Sequence, residues 1–165
     1  MHILITGGTG LIGSALCEAL LAEKHRLTVL SRSPHRDQPK MRFIRSFSQC
    51  REPVDAVVNL AGAGLADRRW TQAYKREIWA SRVELTNDLV EWMAAQPEPP
   101  VRLISGSAVG FYGADADTAL TEVAPLGNSF SADLCHAWEE AAKAAGHMGT
   151  KVTCLRLGVV LAKEG

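Results

Sequence analysis

Short runs of apolar and β-branched residues alternate along this chain with longer stretches in which apolar residues recur at helical spacing. The runs predict strands at residues 2–6, 27–31, 54–60, 101–105 and 152–157, with a weaker strand at 41–44. Most of the runs are apolar throughout rather than alternating, which is typical of parallel strands covered on both faces.

Three stripes of apolar residues at helical spacing predict helices between these strands. The stripes are Leu11, Ile12, Ala15, Leu16, Ala19 and Leu20; then Ile78, Leu85, Leu89, Trp92 and Met93; and finally Leu134, Trp138, Ala141, Ala142 and Ala145. The second helix is expected to begin near Thr71 and to end before a proline cluster at 97–100, and the third to end near Gly146. This alternation predicts a doubly wound α/β fold with a parallel sheet.

Composition narrows the classes of partner. The 165 residues carry 18 Lys and Arg against 18 Asp and Glu, so the formal net charge is zero, and nothing in this balance favours a nucleic-acid or membrane partner. No apolar stretch approaches the ~20 residues that span a bilayer. The four cysteines lie far apart without a Cys-x-x-Cys pair, which favours reduced thiols in a cytoplasmic protein over a disulfide scaffold or a metal site.

A glycine-rich loop lies between the first predicted strand and the first predicted helix. In this loop Gly7 would permit a tight turn, Gly10 a close approach of the backbone to a pyrophosphate, and Gly13 close packing of the helix on the strand. The helix N-terminus would then hold the phosphates. The sequence therefore predicts a Rossmann-type dinucleotide-binding domain over residues 1–165.

The end of the second predicted strand bears on which dinucleotide binds. A site that prefers NAD places Asp or Glu there to bind the ribose 2′-hydroxyl. Here the strand runs through Leu30 and Ser31 into Arg32, with no acid available. The planar cation of Arg32, helped by the Ser31 hydroxyl, suits a 2′-phosphate. We therefore expect NADP(H) to be preferred over NAD(H).

Several segments together resemble the extended short-chain dehydrogenase/reductases. They are TGGTGLIG at 6–13, NLAG at 59–62, SGSAVGFYG at 105–113 and LRLGVV at 155–160. With LCHAWEEAA at 134–142 the chain resembles an atypical subgroup, the epimerase-family proteins. The resemblance implies an NADP(H)-dependent epimerase or oxidoreductase that acts by hydride transfer on a small molecule, a nucleotide sugar or a related carbonyl compound.

The same resemblance implies positions for the site residues. Cofactor contacts are expected from the glycine loop with Thr9, Leu11 and Ile12, from Leu60, Ala61 and Gly62, and from Glu77, Arg82 and Val160. Ser107 corresponds to the catalytic serine, and Tyr112 is the one phenol nearby. Such proteins continue past the sixth strand into a substrate region, so this chain is expected to be the N-terminal part of a longer one.

The chain lacks the Tyr-x-x-x-Lys pair on which the ordinary family depends for acid–base chemistry. By position, Cys135 stands where Tyr is expected and Glu139 where Lys is expected. A carboxylate one helical turn away disfavours a thiolate, so Cys135 is not expected to be an activated group. Two alternatives stay open, an enzyme and a non-catalytic NADP(H)-binding sensor. The helix that carries Trp79 and Trp92, with Trp70 near its start, offers a face for a homodimer.

Overall fold

The computed structural model describes residues 1–113 and 119–162. In this part of the chain six parallel strands form one sheet in the order β3-β2-β1-β4-β5-β6. The strands are β1 His2–Thr6, β2 Arg26–Leu30, β3 Met41–Ile44, β4 Ala56–Asn59, β5 Arg102–Ala108 and β6 Lys151–Leu157. This is the doubly wound fold that the alternating pattern predicts.

Helices cover both faces of the sheet. They are α1 Leu11–Ala22, α2 Gln72–Trp79, α3 Leu85–Ala94 and α4 Phe130–Lys143, with short 3₁₀ turns at Phe47–Gln49, Val109–Tyr112 and Ala144–Met148. On one face, Ile3 and Ile5 pack against α1. On the other, Leu4 and Val57 pack against α3 and the end of α4. Successive residues of a buried strand thus pack into the hydrophobic cores on opposite faces of the sheet, which explains why the strands are apolar throughout.

The face of α1 that meets the sheet differs from the predicted stripe. Gly13 and Cys17 are the buried residues of this helix, and Leu16, Leu20 and Leu21 pack beside them. The other four members of the predicted stripe, Leu11, Ile12, Ala15 and Ala19, are exposed. The need to seat Gly13 against the glycine loop sets the rotation of the helix, and apolar spacing alone does not include that constraint.

The second predicted helix is interrupted by a π-helical turn. Thr71 caps α2, its side chain accepting a hydrogen bond from the backbone N–H of Tyr74, and Ala80–Glu84 form the π turn that leads into α3. Two hydroxyl groups donate hydrogen bonds to backbone carbonyls in and around this turn. The Ser81 hydroxyl donates to the carbonyl of Ile78, and the Thr86 hydroxyl donates to the carbonyl of Arg82. Hydroxyls that bond backbone carbonyls in this way compete with the regular ladder, and π turns are frequent at functional sites.

Strand β5 continues three residues beyond its predicted end at Ser105. Ser107 therefore lies in the strand, level with Arg156 of β6, and both side chains face α4. No helix in residues 1–113 and 119–162 is both long and apolar enough to cross a membrane. Within the same ranges no group of three or more His, Cys, Asp or Glu side chains is placed to hold a metal ion.

Candidate functional site: a dinucleotide cleft at the carboxyl edge of the sheet

A cleft crosses the carboxyl ends of the strands, where the strand order reverses direction between β1 and β4. Its larger part, about 500 Å³, extends toward β2 and ends at Ser31, Arg32, Ser33 and His35. Its smaller part, about 240 Å³, extends toward β5 and β6 and is lined by Gly106, Trp138, Leu157 and Val160. Both parts share Gly7, Gly10, Leu60 and Gly62. Ligands of open α/β sheets bind at such a switch point.

The glycine loop forms the shared middle of the cleft. Gly7 has φ of 70°, a left-handed conformation that favours glycine. A methyl group at Gly13 would overlap the carbonyl oxygen of Gly7, so the helix can approach the loop only with glycine there. Gly10 precedes α1 without a side-chain cap. The first N–H groups of α1 therefore remain available to an anion in the cleft.

The β2 end of the cleft is basic. Arg32 and His35 line it, and no acidic side chain does so among the described residues. Ser31 is buried, and its hydroxyl accepts a hydrogen bond of 3.3 Å from the backbone N–H of Ser33. The His35 ring stacks on Phe43 with 4.8 Å between centroids. This end of the cleft therefore presents cationic and hydroxyl groups to a ligand.

A buried polar network supports the floor of the cleft. The Thr6 hydroxyl donates to Oδ1 of Asn59 at 2.6 Å, and Nδ2 of Asn59 donates to the hydroxyls of Thr86 at 2.8 Å and Ser105 at 3.2 Å. The indole N–H of Trp138 donates to the same Thr86 oxygen at 3.0 Å. Every buried side-chain N or O atom in the described residues has a partner. The network therefore fixes β1, β4, β5, α3 and α4 relative to one another.

Arg82 and Glu77 do not line either part of the cleft. The Arg82 guanidinium donates to the carbonyl of Ala63 at 3.0 Å and lies 5.4 Å from the centroid of a Trp138 ring. A Cβ atom added at Gly62 would lie 2.7 Å from Cζ of Arg82. Arg82 thus packs against Gly62 and Ala63 and supports the loop at 60–63. Glu77 is exposed and pairs with Arg68 at 3.4 Å. The roles of Arg82 and Glu77 toward the cofactor stay predictions.

A buried ion pair lies beside Ser107. The Ser107 hydroxyl donates to Oε1 of Glu139 at 2.7 Å. Arg156 donates to the same carboxylate through Nε at 2.7 Å and Nη2 at 2.9 Å, and through Nη1 to the hydroxyl oxygen of Tyr112 at 2.9 Å. Its guanidinium also lies 3.4 Å from the ring centroid of Phe111. The two predicted catalytic hydroxyls are thus connected through a carboxylate and a guanidinium.

The charges of this cluster stabilise one another. Burial opposes ionisation of Glu139, which is 2% exposed, yet the hydrogen bonds from Arg156 and Ser107 hold the pKa of its carboxyl below the ordinary value. The hydrogen bond to Glu139 raises the pKa of Arg156. Burial raises the pKa of the Cys135 thiol, and the charge of Glu139 raises it further. Cys135 is therefore a neutral thiol at physiological pH, as the sequence predicts.

Comparison with known proteins identifies the family of this chain. A family model described as the NAD dependent epimerase/dehydratase family matches residues 3–164. An epimerase family protein of Staphylococcus saprophyticus is 36% identical over 99% of this chain. The chain belongs to the NAD-dependent epimerase/dehydratase family. It spans 57% of that staphylococcal relative.

Two solved structures of family members are similar over the whole chain. A human epimerase family protein crystallised with NADPH has 32% identity and a TM-score of 0.86, and this chain covers 56% of it. A nucleoside-diphosphate sugar epimerase of Corynebacterium glutamicum has 34% identity and a TM-score of 0.81, and this chain covers 35% of it. Both the resemblance to the epimerase-family subgroup and the Rossmann-type fold are confirmed.

Within this epimerase-family chain, the structure brings most of the predicted site residues together. All the predicted cofactor residues except Glu77 and Arg82 line the cleft. Ser107 and Tyr112 do not line it; Ser107 follows the lining residue Gly106 in β5, and Tyr112 lies in the turn after that strand. Sequence reasoning missed Arg156 and Trp138 as site residues and assigned no role to Glu139. The opposite charges of Glu139 and Arg156 are apparent in the sequence. Their contact depends on the β5–β6 register and on how α4 packs against the sheet.

Two of the three tryptophans offered as a dimer face pack within the chain. Trp92 stacks on Phe47 with 5.8 Å between centroids, and Trp79 packs against the cluster between α2 and α4. Trp70 is 39% exposed, and its indole N–H donates to the carbonyl of Leu65 at 2.8 Å. The homodimer stays a prediction, with Trp70 as the exposed member of the set.

Proposed function

We propose that this chain is the cofactor-binding part of an NADP(H)-dependent epimerase or oxidoreductase that acts on a nucleotide sugar or a related carbonyl compound. The observation that carries this proposal is the cleft itself, which extends from the basic β2 end to Gly106, the neighbour of Ser107 in β5. Support comes from relatives of 32% and 34% identity, one crystallised with NADPH and one described as a nucleoside-diphosphate sugar epimerase.

The residues of the cleft fit a dinucleotide. The turn at Gly7 and the uncapped start of α1 offer backbone N–H groups to a pyrophosphate. Arg32 and Ser31 would hold a 2′-phosphate, and Leu60, Ala61 and Gly62 would lie along the adenosine half. When bound, a nicotinamide dinucleotide supplies a hydride to a substrate carbon or accepts one from it.

The preference for NADP(H) is testable at Arg32. Arg32→Ala should weaken NADPH binding by about tenfold or more while changing NADH binding little, because a guanidinium pairs with a phosphate through strong, charge-assisted hydrogen bonds. Isothermal titration with both cofactors measures this. Arg36→Ala is the matched control, since Arg36 is exposed on the same loop but does not line the cleft. Equal losses for both cofactors would contradict the assignment.

The two hydroxyls near the cleft differ in hydrogen-bond polarity. The Tyr112 oxygen accepts a hydrogen bond from Arg156, which leaves the role of donor to its own proton, and in this proposal that proton is donated to a reacting oxygen. The Ser107 proton is held by Glu139, so Ser107 presents lone pairs and accepts a hydrogen bond from a substrate hydroxyl. In this proposal Tyr112 supplies the proton, Arg156 stands beside the phenol in place of the missing lysine, and Ser107 orients the substrate.

Turnover tests the reaction. NADPH oxidation should be followed by absorbance with a panel of nucleotide sugars and small carbonyl compounds. Ser107→Ala and Tyr112→Phe should each lower kcat by about 100-fold or more, as expected for loss of positioned proton-transfer groups. NADPH affinity should be unchanged in both. Tyr74→Phe is the control, because the other tyrosine bonds the carbonyl of Gly64 on the α2 side.

One observation favours a second candidate function. The acidic Glu139, engaged with Arg156, occupies the position where a catalytic lysine is expected. This replacement suits an NADP(H)-binding sensor without turnover. Tight NADPH binding with no oxidation of the cofactor across the substrate panel would favour that function over the enzyme.

A further inference from the structure

The smaller part of the cleft contains an aromatic side chain for which sequence reasoning found no function. Trp138 lies at its wall, 6% exposed, beneath the backbone of Gly106. A Cβ built at Gly106 would lie 3.0 Å from Cη2 of the Trp138 ring. Glycine at 106 therefore lets the backbone of β5 lie directly on the indole, most of which is buried in the cluster between α2 and α4, while the ring still lines the cleft; a larger residue would displace it.

The orientation of the Trp138 ring is determined by its neighbours. Its N–H donates to the Thr86 hydroxyl at 3.0 Å, which draws the polar edge away from the cleft. The Arg82 guanidinium lies 5.4 Å from the ring centroid, within the range of a cation–π contact. The adjacent Glu139 side chain turns toward β6, where Arg156 binds it. On this stretch of α4, the group presented to the cleft is thus an apolar ring rather than a charge.

The order of the strands defines which half of a dinucleotide would meet Trp138. The basic end with Arg32 lies beyond β2, and the glycine loop lies over β1 in the middle. Trp138, Leu157 and Val160 lie on the opposite side, toward β5 and β6. A dinucleotide with its 2′-phosphate at Arg32 and its pyrophosphate on the glycine loop would extend its nicotinamide half toward Trp138.

We propose that Trp138 is a binding residue for the nicotinamide–ribose half of the cofactor, acting as a rigid apolar contact at the β5–β6 end of the cleft. This inference rests on the proposed function, because it assumes a bound NADP(H). It is independent of turnover, and a non-catalytic binding protein would need the same contact. An aromatic ring suits this task because its few rotatable bonds, together with its buried neighbours, hold the part that lines the cleft in one position.

The test compares the whole cofactor with its adenosine half. Isothermal titration should be run with NADPH and with adenosine 2′,5′-bisphosphate, which lacks the nicotinamide and its ribose. Trp138→Leu should weaken NADPH binding about tenfold, or roughly 1.4 kcal/mol, and leave bisphosphate binding unchanged. Arg32→Ala should weaken both ligands. Trp92→Phe, on the far side of α3 against Phe47, should change neither.

Every outcome decides between the two proposals. Trp138→Leu with unchanged NADPH affinity, or with equal losses for both ligands, would overturn the role of Trp138 while leaving the proposed function intact. Failure of the unsubstituted protein to bind either ligand would overturn the proposed function itself. If Trp138→Leu does not fold, Gly106→Ala replaces it, because the added methyl crowds the ring at 3.0 Å without removing it. It should reproduce the selective loss of NADPH.

Discussion

At the scale of single residues, the most consequential feature is a carboxylate that is buried but fully paired. Glu139 receives hydrogen bonds from Ser107 and from two nitrogens of Arg156. Removing one partner of such a pair is costly because the other charge stays out of water, typically by 3–5 kcal/mol. Arg156 is 17% exposed, so water can partly replace its partner. The pair also engages both hydroxyls, since Glu139 accepts the Ser107 hydrogen bond and Arg156 donates to the Tyr112 oxygen.

Glu139 makes stability depend on pH. Its pKa is lower in the folded than in the unfolded protein, so its contribution is complete above the ordinary carboxyl pKa of 4.5 and is lost as pH falls through the folded-state value. We expect the free energy of unfolding to fall below about pH 4.5, and Glu139→Gln to flatten this dependence and cost about 2–3 kcal/mol at pH 7. Urea denaturation at several pH values measures both.

The neighbouring carboxylate is the control for this prediction. Glu140 pairs with Lys143 at 2.9 Å, but its side chain is 56% exposed. Because exposed pairs contribute little to stability, Glu140→Gln should leave both the stability at pH 7 and its pH dependence nearly unchanged. A flattened pH dependence in this variant would show that Glu139 is not the group responsible.

At the scale of elements, the contact between the glycine loop and α1 couples local structure to binding. Gly13 is buried against Gly7 and Gly8, and no side chain fits between them. This contact holds the N-terminus of α1 at the middle of the cleft. It also explains why Leu11 and Ile12, at 46% and 36% exposed, line the cleft instead of the core.

Gly13→Ala should therefore impair both folding and binding. The added methyl overlaps backbone atoms of the loop, which cannot move aside as a flexible side chain can. We expect a loss of about 2–3 kcal/mol in the free energy of unfolding, as for overpacked cores, and NADPH binding too weak to measure by titration. Gly146→Ala is the matched control, since nothing lies within 4 Å of its added Cβ, and it should bind NADPH normally.

At the scale of the whole molecule, the cleft joins elements that are distant in sequence. Its lining runs from the glycine loop after β1 and Arg32 after β2 through Gly62 after β4 to Val160 after β6. Parallel strands bring their carboxyl ends to one edge, so segments that are distant in sequence become one site. A ligand that spans them would stabilise the folded molecule as a unit.

Ligand binding should accordingly raise the melting temperature, and the size of the rise should differ between cofactors. At 100 times its dissociation constant, NADPH contributes about 2.7 kcal/mol, which corresponds to a rise of roughly 5–10 °C for a chain of this length. NADH at the same concentration should give a smaller rise. Differential scanning fluorimetry measures both, and Arg32→Ala should abolish the difference. Equal rises in the unsubstituted protein would contradict the preference for NADP(H).

Much of this architecture follows from short-range patterns. The apolar runs predict every strand to within a few residues, because a strand buried on both faces needs apolar side chains on both. The glycine loop, Arg32 and the loop at 60–62 are recognisable because the role proposed for each depends on a residue type at a fixed distance from a strand end. The sequence by itself therefore determined the fold class, the dinucleotide cleft and its basic end.

Only the tertiary structure decided what lies at the other end of that cleft. Glu139 and Arg156 are 17 residues apart and meet because β5 and β6 pair in one register while α4 packs across them. The rotation of α1, the π turn at Ala80–Glu84 and the contact of Trp138 with Gly106 depend likewise on packing between elements. Such contacts arise from long-range geometry, which no local spacing of residues encodes.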